Sequence, residues 1–285
     1  MFKIVEKQNL AESVFLMRIS SPDIARKAQA GQFIIIRLDE EGERIPLTIA
    51  DFDRRAGTVD LVFQTVGKTT EELSCLREGD FLMDMAGPLG NPSEIPQGER
   101  IICVGGGVGI APIYPIARAF KEAGNYVIGI IGARTASLLI FEEEMKNLCD
   151  EFHLTTDDGS KGRCALVTHP LAEIIVKEKT LNPIDRVVAI GPPIMMKCVA
   201  DATRSHGVKT IVSLNSIMVD GTGMCGACRV EVDGETKFAC ADGPEFDGHQ
   251  VNFDLLMSRL RGYVDQEKVA LETYHRGSKG CQSRK

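Results

Sequence analysis

The chain of 285 residues lacks an excess of positive charge, a long apolar run and an internal repeat. Its 33 Lys and Arg residues are outnumbered by 40 Asp and Glu residues, and the net charge of −7 argues against nucleic acid as the main partner. The most apolar region, residues 101–117, is interrupted by glycine and proline and is too short to cross a bilayer, so we expect no membrane partner. The opening residues, MFKIVEKQNL, are polar and charged, so we expect no signal peptide.

The nine cysteines also lack the arrangement of a secreted disulfide framework. Their number is odd, three of them are clustered, and the others are scattered along the sequence. A reducing compartment is the simpler interpretation, and we therefore expect a cytoplasmic location.

The pattern of apolar residues divides the chain into four segments and predicts a multidomain fold. Residues 1–97 contain short alternating runs separated by Gly, Asp and Pro, which predicts an antiparallel β-barrel. In residues 98–208 apolar strands alternate with helical runs, which predicts an α/β domain with a parallel sheet. Residues 209–245 are expected to form a small cysteine lobe, and residues 246–285 a C-terminal helix and tail.

A glycine-rich turn, VGGGVGIAP, follows the first strand of the α/β segment. Glycines there let the backbone approach a pyrophosphate, and the helix that follows offers N–H donors at its N-terminus. A later strand, AIGPPIMM, ends in a similar turn, and we predict that both turns face one nicotinamide nucleotide. The candidate residues are Gly105, Gly106, Gly107, Val108, Gly109, Pro112, Gly191, Pro192 and Met195. The alternative is a glycine turn that only packs a helix on a strand.

Three cysteines near the C-terminus have a spacing typical of a metal centre. Cys225, Cys228 and Cys240 give C-x2-C-x11-C, whereas one common iron–sulfur spacing has a further cysteine five positions before the first of these. Asp220 occupies that position. Asp220 is then a fourth cluster ligand, the fourth ligand of a tetrahedral zinc site, or only a turn residue before Gly221.

The order of these motifs resembles the ferredoxin–NADP reductase superfamily. A strand-rich domain followed by GGGVGIAP, GPPIMM and a cysteine lobe is similar to electron-transfer subunits that carry FAD and a [2Fe–2S] cluster. Two branches are close: the FAD/iron–sulfur subunit of dihydroorotate dehydrogenase, with four cysteines, and the small subunit of NADH-dependent reduced ferredoxin:NADP oxidoreductase (sulfide dehydrogenase type). The second has aspartate at the place of the first cysteine, and DGTGMCGAC is similar to it. The resemblance implies that Asp220 joins the three cysteines as a cluster ligand.

The resemblance also implies two FAD-binding segments. The first is RIPLTIAD, with Arg44, Pro46, Leu47, Thr48 and Ile49, in which Thr48 would place a hydroxyl near the flavin N5 as the catalytic residue. Its arginine stands one residue earlier than the superfamily motif places it. The second is TVGKTTEEL, with Val66, Gly67, Lys68, Thr69 and Thr70 near phosphates. The alternatives are a buried strand threonine and an ordinary helix capped by Thr69.

Specificity for the nucleotide rests on two loops that the superfamily places near the adenosine half. Arg134 suits the 2′-phosphate of NADP, whereas Asp157 and Asp158 suit the ribose diol of NAD. We favour NAD(H), because two carboxylates repel a phosphate.

The implied function is that of an oxidoreductase subunit. It exchanges a hydride between NAD(H) and FAD and single electrons between FAD and a [2Fe–2S] cluster. The resemblance implies a heterodimer or larger complex with a larger flavin/iron–sulfur subunit, which couples NADH, ferredoxin and NADP by electron bifurcation. The apolar stripe Leu255, Leu256, Leu260 and Tyr263 either contacts this partner or packs on its own domain. The alternatives are a subunit of dihydroorotate dehydrogenase or of a cytoplasmic hydrogenase, and a zinc-stabilised nucleotide sensor.

Overall fold

The computed structural model describes residues 1–178 and 182–277. The N-terminal domain is a nearly closed antiparallel barrel with the strand order β6-β1-β2-β5-β4-β3-β7. Its strands are β1 (Phe2–Ala11), β2 (Val14–Ser20), β3 (Phe33–Arg37), β4 (Arg44–Asp53), β5 (Thr58–Gln64), β6 (Phe81–Leu82) and β7 (Asp84–Leu89). Two short helices, α1 (Pro22–Lys27) and α2 (Lys68–Cys75), lie between strands. Alternating apolar residues such as Ile34 and Ile36 fill its interior.

The second domain is built on a sheet with the strand order β11-β10-β9-β8-β12-β13-β16, which is parallel except for the edge strand β16 (Glu245–Asp247). The strands are β8 (Arg100–Gly106), β9 (Tyr126–Ala133), β10 (Glu151–Thr156), β11 (Arg163–Cys164), β12 (Arg186–Ile190) and β13 (Lys209–Ser213). The helices are α3 (Ile110–Glu122), α4 (Glu142–Leu148), α5 (Thr168–Glu178) and α6 (Pro193–Arg204). After their first residue, an arginine in each case, the central strands β8 and β12 are fully buried, which explains their continuous apolar sequences. The predicted fold class is therefore confirmed.

The cysteine lobe is inserted between two strands of this sheet. It contains the hairpin β14 (Arg229–Val232) and β15 (Glu235–Phe238), after which β16 (Glu245–Asp247) pairs antiparallel with β13. The sequence pattern predicts a domain boundary at residue 208, whereas in the structure β13 pairs in parallel with β12. The sheet therefore continues to Ser213, and the lobe begins after it.

The C-terminal segment packs on its own chain. It forms α7 (Phe253–Leu260) and α8 (Val264–Gly277). Within the apolar stripe Leu256 is 2% exposed, whereas Leu255 and Tyr263 are 39% and 57% exposed. The stripe is thus divided between the core and the surface. The predicted basic tail from residue 278 onward lies outside the described residues.

The barrel and the α/β domain share one hydrophobic core. Val14, Leu16 and Ala50 of the barrel pack in the same cluster as Ile110 and Ile113 of α3. The guanidinium of Arg118 on α3 donates Nη1–H to Asp51 Oδ2 on β4 at 3.0 Å. The two domains are therefore fixed against each other along α3.

Among the described residues, no helix combines the length and the apolar character that a membrane crossing requires.

Candidate functional site

The two predicted nucleotide-binding turns lie in contact. They follow the neighbouring strands β8 and β12, whose register pairs Gly105 with Ile190. A Cβ atom added to Gly106 would lie 2.2 Å from Met195 Sδ, and one added to Gly109 would lie 2.4 Å from the carbonyl oxygen of Ile190. The chain proceeds from β8 to β9 on one side of the sheet and from β12 to β13 on the other. The turns therefore meet at the topological switch point, where parallel sheets bind ligands.

The N-terminus of α3 is open for an anion. The single turn Gly107–Gly109 leads into the helix, and no side chain caps it in the described structure. Gly107 has φ +57°, and apart from its chain neighbours no atom of the described residues lies within 4 Å of the position that a Cβ would take. Val108 is 37% exposed, and Pro112 is half-buried. Ile110 already donates its N–H to the carbonyl of Gly107, and Pro112 has no N–H, so a pyrophosphate here would rest on the turn 107–109 rather than on the first residues of the helix.

The loops after β9 and β10 are joined at the same edge of the sheet. Asp158 donates its backbone N–H to the carbonyl of Arg134 at 3.2 Å. Ser160 accepts the N–H of Ala136 at 2.7 Å and donates its hydroxyl to Asp158 Oδ1 at 2.6 Å. Hydrogen bonds from Ser160 lower the pKa of Asp158. Arg134, Asp157 and Asp158 are thus brought together, and the hydrogen bonds of Ser160 hold the two loops in contact. Ser160 is not among the residues predicted from the sequence, where only its position two residues after Asp158 indicates such a role.

The predicted flavin strand has an open edge. β3 pairs with β4 from Arg44 to Thr48, whereas β5 pairs with β4 only from Ile49 onward. The other edge of residues 44–48 therefore has no strand partner in the described part of the chain. Pro46, Leu47 and Thr48 are half-buried, and Arg44 is exposed. An open edge with unpaired backbone groups and half-buried side chains fits a planar cofactor with polar ring edges.

The helix α2 starts differently from the capped helix that we considered as the alternative. Gly67 precedes the helix, and Thr70 accepts the N–H groups of Val66 and Gly67 at 3.0 and 3.1 Å. Thr69 is buried and donates its hydroxyl to Glu43, so the interpretation of Thr69 as the cap is wrong. Both threonine hydroxyls are engaged within the protein. Phosphate binding here would rest on the helix N–H groups and on Lys68.

The cysteine loop is shaped by three glycines with left-handed backbones, Gly221 (φ +74°), Gly223 (φ +84°) and Gly226 (φ +65°). Asp220 accepts the N–H of Thr222 on Oδ1 and that of Cys225 on Oδ2, each at 2.8 Å. These hydrogen bonds, first the one from Thr222, lower the pKa of Asp220. Asp220 therefore has the turn role, and each of its oxygens keeps a lone pair for a metal.

The structure brings two of the predicted cluster ligands into contact, and among the described residues no third ligand joins them. Cys228 and Cys240 are buried with their sulfurs 3.1 Å apart, and Cys225 is exposed. Gly223 donates its N–H to Cys240 Sγ at 3.1 Å. Burial, and then the hydrogen bond from Cys228, raises the pKa of Cys240 to about 12. Across residues 1–178 and 182–277, no three His, Cys, Asp or Glu side chains are arranged to hold a single ion. Paired thiols with N–H donors fit an iron–sulfur cluster.

The cysteine loop rests on the N-terminal barrel. A Cβ atom added to Gly221 would lie 2.7 Å from Leu89 Cδ1 and 2.9 Å from Ile35 Cγ1. Ile35 pairs with Pro46 of the flavin strand. The loop is therefore one strand away from the segment that we predict to hold the flavin.

A half-buried carboxylate ties the end of the lobe to the segment that connects the barrel with the second domain. Glu245, at the start of β16, accepts the hydroxyl of Ser93, and burial raises its pKa above the ordinary 4.5 against the opposing effects of Ser93 and Arg186. A raised pKa means that folding disfavours the charged form, so native stability falls as pH rises through the raised pKa.

Replacing Glu245 with Gln should therefore increase stability at neutral pH, because Gln keeps an acceptor for Ser93 and carries no charge. The gain should vanish below the ordinary pKa of 4.5, where the native glutamate is also neutral. Urea unfolding at several pH values measures this difference. Glu12→Gln, at an exposed position, is the control. Parallel pH profiles for wild type and Glu245→Gln would contradict the prediction.

The fold and these sites together define an electron-transfer oxidoreductase with a nicotinamide-nucleotide domain and an iron–sulfur lobe. Residues 103–201 match the family "Oxidoreductase NAD-binding domain", and residues 215–252 match "Iron-sulfur cluster binding domain of dihydroorotate dehydrogenase B". The chain is 51% identical to the dihydroorotate dehydrogenase B (NAD(+)) electron transfer subunit homolog of Thermotoga maritima, over 95% of both chains. It is 31% identical to the electron transfer subunit of Bacillus caldolyticus dihydroorotate dehydrogenase B, over 87% of this chain and 96% of that one. The chain belongs to this family of electron transfer subunits and their homologues.

A solved structure agrees closely with the fold. A chain of the NADH-dependent reduced ferredoxin-NADP oxidoreductase, a structure that addresses flavin-based electron bifurcation, is 49% identical. The match has a TM-score of 0.89 and covers 96% of this chain and 98% of that one. The ferredoxin NADP+ reductase of Neisseria gonorrhoeae, with bound FAD and NADP, shares only the fold, at 19% identity and a TM-score of 0.59 over 72% of this chain and 90% of that one. The predicted superfamily and oxidoreductase class are thereby confirmed, together with a nicotinamide-nucleotide domain and an iron–sulfur domain.

Proposed function

We propose that the chain oxidises NADH and passes the electrons singly to a [2Fe–2S] cluster by way of FAD. The observation that carries the proposal is the contact of Gly221 with Ile35, the strand neighbour of Pro46. This contact supports a position of the cysteine lobe next to the strand that we propose to hold the flavin. Electrons would then pass directly from the flavin to the cluster within one chain. The shared core along α3 supports a fixed geometry between the nucleotide and flavin sites.

Each site residue has a defined part in this proposal. Gly105–Gly109 and Gly191–Met195 hold the nicotinamide nucleotide at the switch point, and Asp157 and Asp158 select the ribose diol. Residues 44–49 and 66–70 would hold FAD, and Thr48 would supply a hydroxyl near its reacting atoms. When bound, the flavin supplies the exchange between two-electron and one-electron chemistry. Asp220, Cys225, Cys228 and Cys240 hold the cluster.

The electrons leave the chain at the tip of the cysteine loop. Met224, which directly precedes the exposed Cys225, is 88% exposed, and Val219, at the start of the same loop, is 46% exposed. Exposed apolar side chains beside a redox group are typical of a partner contact. We propose a larger flavin/iron–sulfur subunit there, in a complex that couples NADH, ferredoxin and NADP as in the NADH-dependent reduced ferredoxin-NADP oxidoreductase.

The second candidate is an electron transfer subunit of a dihydroorotate dehydrogenase. The match of residues 215–252 to the iron–sulfur domain of that enzyme favours it. Asp220 at the place of the first cysteine favours the ferredoxin–NADP complex. Mass spectrometry of the subunit that co-purifies under anaerobic conditions separates the two.

The function is tested by anaerobic titration of the purified full chain with NADH. Flavin absorbance should decrease, and an electron paramagnetic resonance (EPR) signal of a reduced [2Fe–2S] cluster should appear. NADH should reduce the chain faster than NADPH at equal concentration, because the carboxylates beside Arg134 repel a 2′-phosphate. A faster reaction with NADPH would overturn the assignment of NAD(H). A chain that contains zinc but no flavin or iron would overturn the proposal itself.

A further inference from the structure

Two arginines hold the short segment between Cys225 and Cys228. Arg229, the first residue of β14, donates Nη1–H to the carbonyl of Gly226 at 2.8 Å. Arg259, on α7, donates Nη2–H to the carbonyl of Ala227 at 3.2 Å. Gly226 and Ala227 are the only two residues between these proposed cluster ligands. Both backbone carbonyls of the segment are thus bonded to a guanidinium.

The same two peptides keep their N–H groups free. In a planar trans peptide the N–H points away from the side to which the carbonyl points. The N–H groups of Ala227 and Cys228 therefore point away from the arginines, and in the described part of the chain neither has a protein acceptor. A carbonyl bonded to a cation polarises its peptide and strengthens its N–H as a donor.

The two arginines also carry uncompensated charge. Among the ion pairs formed by the described residues, none includes Arg229 or Arg259. Arg259 is half-buried, which reduces the screening of its charge by solvent. Neither guanidinium forms a salt bridge with a carboxylate of the described residues, so its positive charge acts on the cysteine segment without a directly bonded counter-ion.

We propose that Arg229 and Arg259 are positioning residues that fix the Cys225–Cys228 segment and raise the reduction potential of the cluster. One-electron reduction of an iron–sulfur cluster adds one negative charge. Positive charge and N–H donors near the cluster stabilise the reduced form, and both are known determinants of its potential. The inference rests on the proposed function, since it requires that the three cysteines hold a cluster.

The test is an EPR-monitored redox titration of the full chain. Arg259→Gln should shift the potential of the cluster to a lower value, and Arg259→Lys, which keeps the charge, should shift it less. Arg229→Gln should shift it in the same direction, and the double variant further. Arg261→Gln is the matched control, because it removes an exposed arginine two residues away and should leave the potential unchanged.

The outcomes separate the two proposals. A cluster-loaded Arg259→Gln variant with the wild-type potential would overturn the inference, because a purely structural role lowers cluster content without moving the potential. If that variant binds no cluster, Arg229→Gln gives the same test on the other donor. Absence of a cluster signal from the wild-type chain would overturn the proposed function instead.

Discussion

Replacing Asp220 with Ala should remove most of the iron–sulfur cluster from the purified chain. The change deletes a ligand in our proposal and also the acceptor for the N–H groups of Thr222 and Cys225. Loss of a residue that only supports a metal ligand typically costs about 10- to 100-fold in metal affinity, so loss of a ligand should cost at least about tenfold. Iron and sulfide analysis measures the content, and EPR measures any cluster that remains.

Asp242→Ala is the matched control for this experiment. Asp242 lies in the same lobe and accepts the backbone N–H of Phe238 at 2.7 Å, so it has the same kind of turn role near Cys240. We expect Asp242→Ala to keep its cluster and its spectrum. Asp220→Cys should restore the content with an altered spectrum, because a thiolate is a softer ligand than a carboxylate. Full content and an unchanged spectrum in Asp220→Ala would show that Asp220 is only a turn residue.

Replacing Gly109 with Ala should reduce the reaction with NADH by about 100-fold, the effect expected when a reacting group is displaced by about 1 Å. The new Cβ would lie 2.4 Å from the carbonyl oxygen of Ile190 and 2.8 Å from Gly191 Cα. These are backbone atoms, so the two turns of the nucleotide site have to separate. Steady-state kinetics with NADH measures the effect, and flavin content and thermal unfolding show whether the fold persists.

Gly107→Ala probes the same site without a clash. Apart from its chain neighbours, no atom of the described residues lies within 4 Å of its Cβ position, and its φ of +57° costs an alanine about 1 kcal/mol. The added methyl enters the space in front of α3, so the KM for NADH should rise while the chain stays folded. Gly124→Ala has the same left-handed backbone, with φ +85° and no neighbouring atoms, but lies beyond the other end of α3 and should leave the KM unchanged. A wild-type KM for NADH in both Gly107→Ala and Gly109→Ala would show that the nucleotide does not bind at these turns.

The parts of the site that follow a strong local pattern could be predicted from the sequence. A strand that runs through a glycine turn into a helix, as around Gly105, is typical of a nucleotide site at the carboxyl end of a parallel strand. The neighbouring strand, which ends at Ile190, has the same pattern. The lobe boundary could not be predicted in this way. β16 has only three residues, Glu245–Asp247, and its pairing with β13 comes from tertiary contacts that bridge the whole lobe.

The roles of single polar side chains could not be predicted from the sequence either. Thr69 and Thr70 are adjacent and chemically identical, but only Thr70 reaches back to the N–H of Gly67, because the chain enters the helix at Gly67. The arginines that hold the Cys225–Cys228 segment come from a strand and from a helix thirty residues apart. Their convergence depends on how α7 docks on the lobe, which periodicity does not encode.

The antiparallel pairing of β13 with β16 means that the cysteine lobe connects two neighbouring strands of one sheet. Leu214 donates its N–H to the carbonyl of Pro244 at 2.9 Å, directly beyond the pair Ser213 and Glu245. In topology the entire lobe is the loop of a β-hairpin. An ancestral reductase with a short turn at this point would already possess every strand of the parallel sheet. A single insertion into this turn could therefore add the cysteine lobe to an existing reductase. Such an insertion leaves the barrel and the parallel sheet, and with them the nucleotide site, unchanged.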